Sequence, residues 1–449
     1  MNYKKEARNT LLLAFPIILG EIAQISLHLV DTAMIGALGY KELAAAALVL
    51  NVINIPFVLG IGVTISVAQM VSLAHGKYDR QLISHYLYNG FILCTLAAIV
   101  IAAAIIAGTE VLYHLDQDPE VVAYAAPLMR VMGLSIIPMI LFMTLKQFAD
   151  GLQYTKTAMV LSIAAIPLNA LLNWVFIYGH WGVPEFGLIG AGYATLITRT
   201  AIFVALTVVI LNHRVFRPYI AVAKNQWKLN GPTFRQLLKI GIPSSLQIGM
   251  EAGAFAVSGI LMGTIHATTQ AAHQIALSCA SFTFMVSMGL SQAGSIRVST
   301  AFGAKDLKRI SVIGKSTIML ALIYGSFCCL LFMLLRNQLP HLFNSNTEVL
   351  SLAATFLLLA AVFQISDSIQ AISAGLLRGI KDVNVPTIFI AIAYWVLGIP
   401  IGCLLAFHFN MGGVGIWLGL IVGLTVSALF LTLRFLKKVK ERVGAPERI

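Results

Sequence analysis

LLLAFPIILGEIAQISLHLVDTAMIG, residues 11–36, decides the fold. It is an apolar run long enough to cross a bilayer, which takes about 20 residues. Pro16 and the polar side chains Glu21, Gln24, His28 and Asp31 interrupt it. A second stretch, LKIGIPSSLQIGMEAGAFAVSGILMG at residues 238–263, repeats the same frame. With a shift of 227 residues, Leu11 meets Leu238, Pro16 meets Pro243 and Gly36 meets Gly263. The register continues outward. Ala44 and Ala45 meet Ala271 and Ala272, Gly62 meets Gly289, and Val71-Ser72 meets Val298-Ser299. Ala74, Gly76 and Asp79 meet Ala301, Gly303 and Asp306. Small residues match by chance in apolar helices, but one unbroken register over about 70 residues marks a duplication.

The rest of the chain has the same character. Of its 449 residues 59% are hydrophobic and 11% charged, against about 25% charged in a soluble globular protein. Apolar runs separated by breakers give twelve spans: 10–37, 46–74, 86–109, 125–148, 157–179, 188–211, 236–264, 272–297, 311–335, 348–375, 384–407 and 412–435. Continuous runs in lipid read as helices, because a lone strand leaves its backbone groups unsatisfied. The fold class is therefore all-α integral membrane, in two six-helix lobes. Six is even, so both halves have the same orientation, a parallel repeat. The division is an N-lobe 1–211, a basic cytoplasmic linker 212–235, a C-lobe 236–435 and a basic cytoplasmic tail 436–449.

The net charge of +12 does not read as a nucleic-acid surface, since Lys and Arg fall in short loops between apolar spans. Their asymmetry sets orientation instead. Lys4, Lys5, Arg8, Lys77, Arg80, Lys146, Lys156 and the clusters at 214–239 and 297–315 share one side with both termini. The other side holds little beyond Lys41 and Arg336, and its loop with Glu110, Asp116, Asp118 and Glu120 is acidic. The positive-inside rule then puts both termini in the cytoplasm. The five cysteines lie in apolar segments without metal-ligand spacing and read as free thiols. The apolar run behind the basic N-terminus is too long for a cleaved signal peptide.

A charge at mid-bilayer costs at least about 2.5–3.5 kcal/mol and marks a functional candidate. Of the 18 acidic residues, Glu21, Asp31, Glu251 and Asp367 lie well inside spans, with no Lys equally deep and Arg199 the best-placed cation. A surplus of carboxylates suits a bound cation: H+, Na+ or an organic cation. Gln24, His28 and Asp31 share one helix face, as do Glu251 and Ser258. Across the repeat Glu251 faces Gln24 and Asp31 faces Ser258, so the two lobes use different positions. Asn169 and Asn173, one turn apart behind Pro167, offer amide oxygens to an ion or donors to a carboxylate. Plain interhelical hydrogen bonding is the alternative for these amides, for Gln24 and for His28. Gln274 could join Glu251 and Asp367. Glu21 has no assigned role.

On these residues the chain resembles the multidrug and toxic compound extrusion (MATE) transporters, in their bacterial NorM-type branch. The carriers of the resemblance are Val30-Asp31-Thr32-Ala33-Met34-Ile35-Gly36, Pro243 with Glu251, Ala271-Ala272-His273-Gln274, and Asp367-Ser368-Ile369-Gln370 leading to Leu377-Arg378-Gly379-Ile380-Lys381-Asp382. The Asn169/Asn173 pair matches too. The resemblance implies two lobes around a central cleft in a bacterial inner membrane. It implies export of cationic, amphipathic molecules in exchange for Na+ or H+. It also implies an N-lobe cation or proton site at Asp31 and a C-lobe site at Glu251 and Asp367, the Na+ candidates. Keeping both C-lobe carboxylates favours the NorM-type branch over the DinF-type one.

The expectation is a monomeric antiporter, not an enzyme, with no cofactor beyond its coupling ion, and with membrane lipid and organic cations as partners. No His-Glu-x-x-His, Gly-x-Ser-x-Gly or Walker loop occurs. A lipid-linked oligosaccharide flippase would carry basic residues in its cavity. A major-facilitator transporter would carry a charged signature where only Gly76-Lys77-Tyr78-Asp79-Arg80 stands. A cation channel fits the carboxylates alone.

Overall fold

A computed structural model of the chain describes residues 2–114, 118–223 and 228–444. Asp116, Lys224 and the end of the basic tail, used above for orientation, lie outside the described residues. Among the described residues twelve helices are long and apolar enough to cross a membrane, and no strand occurs. They are α1 Tyr3–Gly36, α2 Tyr40–Gly76, α3 Arg80–His114, α4 Pro119–Gly151, α5 Lys156–Tyr178 and α6 Leu188–Asn212. The second six are α7 Gly231–Ile265, α8 Ala267–Gly303, α9 Leu307–Leu335, α10 Thr347–Gly379, α11 Asn384–His408 and α12 Gly413–Gly444. A short helix, Arg217–Ala223, follows α6.

The helices overrun the apolar runs because polar side chains start them. Asp79 caps α3 by accepting from the Leu82 amide at 2.9 Å, and Asp306 caps α9 by accepting from Arg309 at 2.9 Å. Tyr78 and Lys305, one residue earlier, both take the left-handed conformation at φ 58. Asp118 and Asn346 cap α4 and α10 through the amides of Glu120 and Glu348. Gln153 and Lys381, just beyond those helices, both have φ 63. The duplication therefore runs through the turns as well as the spans.

By packing, the chain divides into two compact units: Leu19–Ser245, the N unit, and Met1–Ile18 with Leu246–Ile449, the C unit. This differs from the division 1–211 and 236–435, because the boundaries fall inside α1 and α7. Hydrogen bonds give the reason. In the N unit the start of α7 is tied to α3, with Tyr86 Oη donating to Gln236 at 3.0 Å and the Asn230 amide to Asn89 at 2.9 Å. In the C unit the start of α1 is tied to α8, where the Arg297 guanidinium donates to the Glu6 carbonyl at 2.6 Å and pairs with the Glu6 carboxylate. The repeat-related glycines Gly62 and Gly289 admit the ends of these segments. A Cβ at Gly62 would strike the Ser245 backbone, and one at Gly289 would strike Ile18.

Phe142, Phe148 and Phe216 are fully buried in the N unit, and Trp417, Phe356, Phe363 and Phe435 in the C unit. The eleventh span is not a plain α-helix. Ile392–Gly398 and Leu404–His408 are π-helical, on either side of an α-helical Ile399–Cys403.

Candidate functional site

In the N unit, Asp31 stands on the second half of α1 and meets side chains of α5 and α6. Asn173 Nδ2 donates to Asp31 Oδ1 at 2.6 Å and also to Asn169 Oδ1 at 3.1 Å. Thr195 Oγ1 lies 3.5 Å from the other carboxylate oxygen. Both asparagines are fully buried, and Pro167 sits inside α5 less than one turn before Asn169. Arg199, one turn beyond Thr195, donates to Ser135 Oγ at 2.7 Å and lies within electrostatic reach of Asp31. A cavity of about 110 Å³ opens on the carboxylate; His28, Asp31, Leu50, Met132 and Thr195 are among its walls. The Asp31, Asn169 and Asn173 grouping expected from sequence is thus assembled. Gln24 is half-buried and not among the lining residues. Thr195 was not expected; its spacing of four from Arg199 on one helix face was the available signal.

Glu21 lies elsewhere. Its Oε1 accepts from Lys146 Nζ at 2.6 Å, a pair whose side chains are 19% and 5% exposed. Asp150, one turn along α4, is fully buried and within electrostatic reach of both. This corrects the expectation that no Lys lies deep and that Lys146 belongs with the loop charges. A hydropathy window near the end of a span does not reveal that an ammonium turns inward.

In the C unit, Glu251 on α7 and Asp367 on α10 line one cavity of about 230 Å³, with Phe255, Phe284, Met288 and Phe363 among its walls. Asp367 is 3% exposed. Tyr394 Oη reaches Gln370 Oε1 at 3.1 Å and Glu251 Oε1 at 3.4 Å. Phe255 meets Phe363 and Tyr394 edge-on at 5.9 and 6.2 Å between ring centres. The two carboxylates expected together are together. Gln274 is exposed and is not among the residues lining this cavity; Gln370 and Tyr394 take the place expected for it. Gln370, three residues after Asp367, shares its helix face, whereas nothing in the sequence singles out one of 13 tyrosines.

Chemically, each unit holds a carboxylate site among apolar side chains: Asp31 with amide and hydroxyl donors and Arg199 within electrostatic reach, and Glu251 with Asp367 beside Gln370 and Tyr394. A carboxylate in low dielectric is costly unless a proton, metal cation or organic cation compensates it. The aromatic and Met walls of the C-unit cavity offer contact area to a flat or amphipathic cation.

Residues 16–175 and 243–404 each match the MatE family profile, two stretches that fall one in each repeat. Curated relatives cover nearly the whole chain. The probable multidrug resistance protein NorM of Mesorhizobium japonicum is 34% identical over 451 residues, covering 99% of this chain and 96% of that protein. Its namesake from Bradyrhizobium diazoefficiens is 35% identical, covering 97% and 94%. Among solved structures, the eukaryotic MATE transporter AtDTX14 superposes with a TM-score of 0.86 at 21% identity, covering 98% of this chain and 99% of that one. An outward-facing multidrug resistance MATE family transporter superposes at 0.89 and 17%, covering 98% and 97%. At such identities the structures speak for the fold alone.

Proposed function

Starting from the MatE family, to which this chain belongs, we propose that it is a multidrug efflux antiporter. It exports cationic, amphipathic small molecules and takes up Na+ or H+ in return. The observation that carries the reading is the C-unit cavity, where Glu251 and Asp367 lie among Phe255, Phe284, Met288 and Phe363. Such walls hold an apolar cation, and the same carboxylates hold a small one. Two ligands that compete for one charge displace each other. Joined to a change of access, that competition becomes exchange.

Each residue has a part. Glu251 and Asp367 compensate the cation in the C unit. Asp31 does so in the N unit, positioned by the Asn173 donor and the Asn169 amide behind it. Glu21 is a structural partner of Lys146, outside the coupling chemistry. The protein works as a monomeric carrier, not an enzyme or channel, in the bacterial inner membrane with both termini in the cytoplasm. The charge asymmetry of its loops supports that orientation.

Energised vesicles loaded with a fluorescent organic cation test the proposal. Pulses of Na+ and of acid are compared. Efflux that answers one of them, saturates with dye and disappears in Asp367→Asn is the expected result. Efflux that continues unchanged in that variant, in protein that folds and inserts normally, overturns it.

A further inference from the structure

The eleventh span sets Tyr394 against the C-unit carboxylates on an uncommon backbone. Ile392–Gly398 is π-helical, a geometry that is rare, appears as short insertions in α-helices and gathers at functional sites. Tyr394 is fully buried, and its one hydroxyl hydrogen has two acceptors in reach, Gln370 and Glu251. Its neighbour Trp395 donates from Nε1 to the carbonyl of Met250 at 3.1 Å, the residue next to Glu251. The π-helical turn therefore grips the Glu251 stretch of α7 twice.

The facing helix is shaped for that turn. On α12, Gly419 and Gly423 stand one turn apart against it: a Cβ at Gly423 would lie 2.6 Å from the Ala393 carbonyl, and one at Gly419 would strike Gly398. Gly415, one turn earlier, meets Ala406 in the second π-helical stretch. A glycine track thus follows both irregular stretches of α11. A helix loses about 100° of rotation when one residue is withdrawn from its winding, so reverting the π turn to α would carry Tyr394 off the carboxylate face.

We propose that Tyr394 is a positioning residue for the Glu251–Asp367 site, and that the π-helical turn of α11 is a register switch coupling cation occupancy there to the winding of α11. The inference rests on the antiport reading given above. A cation on Glu251 takes one of the hydroxyl's two acceptors; the hydroxyl then belongs to Gln370, the grip on α7 loosens, and α11 is free to rewind along the glycine track.

The test uses full-length protein in liposomes, with Na+ and acid pulses titrated separately against dye efflux. Tyr394→Phe removes only the hydroxyl, and Gly423→Ala pushes on the Ala393 carbonyl without touching the site. Both are expected to lower the half-saturating concentration of the driving cation about tenfold, the size of one hydrogen bond to a charged group, because the cation no longer displaces the hydroxyl in the first and the π turn is less firmly seated in the second, while the maximal rate of Tyr394→Phe falls less than twofold. Should Tyr394→Phe fail to fold, Gln370→Met, which removes the hydroxyl's other acceptor and leaves it on Glu251, is titrated with the opposite expectation, a raised half-saturating concentration. Half-saturation that is unaltered or moves the other way in the hydroxyl or Gln370 variant, or a Gly423→Ala protein that loses only maximal rate, overturns the proposal. Glu251→Gln runs alongside: if it too keeps wild-type cation dependence, the failure lies with the antiport reading.

Discussion

Removing either member of the Glu21–Lys146 pair should destabilise the protein, and by unequal amounts. The pair is a 2.6 Å contact between side chains 19% and 5% exposed, so solvent screens it little. Breaking a buried pair costs about 3–5 kcal/mol, mostly from the charge left behind. Glu21→Gln leaves Lys146 with Asp150 still in electrostatic reach, which puts that variant at the lower end, about 3 kcal/mol. Lys146→Met leaves two carboxylates facing each other without their cation, and belongs at the upper end, about 5 kcal/mol. The double variant removes one charge of each sign and should be more stable than Lys146→Met alone. Reversible unfolding of purified protein in mixed micelles, followed through a full double-mutant cycle, reads these differences. Equal losses from the two single variants, or strict additivity in the double, would mean that Lys146 does not neutralise Glu21 and Asp150 as their contacts imply. The double variant should also keep cation-driven efflux, since the pair is assigned no part in coupling.

Other outcomes follow from the same geometry. Gly62→Leu and Gly289→Leu each drive a side chain into a helix backbone, at Ser245 and Ile18; both should cost more than about 3 kcal/mol as overpacking and cut the yield of monodisperse protein on size-exclusion chromatography. Asn173→Ala removes the 2.6 Å donor to Asp31, a bond to a charged group worth about 1.5–3 kcal/mol; the cation dependence of efflux should shift about tenfold or more, with folding retained. Arg297→Gln loses the carboxylate and carbonyl of Glu6; limited proteolysis at the N-terminus should accelerate, because the start of α1 is held to α8 by that guanidinium.

The sequence carries the spans and the duplication well, because both are local. Apolar length decides a crossing helix, and the shift of 227 residues found over the first spans persists in Asp79 and Asp306 as caps. Asp31, Glu251 and Asp367 stand out because a carboxylate in an apolar run needs a reason. Contact between distant segments was not legible. Lys146 looks like an end-of-span charge until α1 places Glu21 beside it, 125 residues away. The π-helical turn that carries Tyr394 packs against Gly419 and Gly423 of α12, which no single-helix pattern shows. Gln274, at the start of the eighth span, looks well placed to join Glu251 and Asp367, yet it is exposed. The packing boundaries inside α1 and α7 escape detection for a related reason: hydropathy sees one continuous helix, while Arg297 and Tyr86 tie its ends to other helices of each unit.

Under the proposed exchange, one set of carboxylates binds the exported cation and the driving cation in turn. Its most direct measurement records both fluxes at once in sealed proteoliposomes: loss of a fluorescent organic cation, and entry of Na+ or H+ by isotope or pH dye. The two fluxes are expected to rise and fall together in the wild type and both to vanish in Glu251→Gln and Asp367→Asn. Organic-cation efflux that persists in those variants, or a small-cation flux that runs without dye moving, would contradict it.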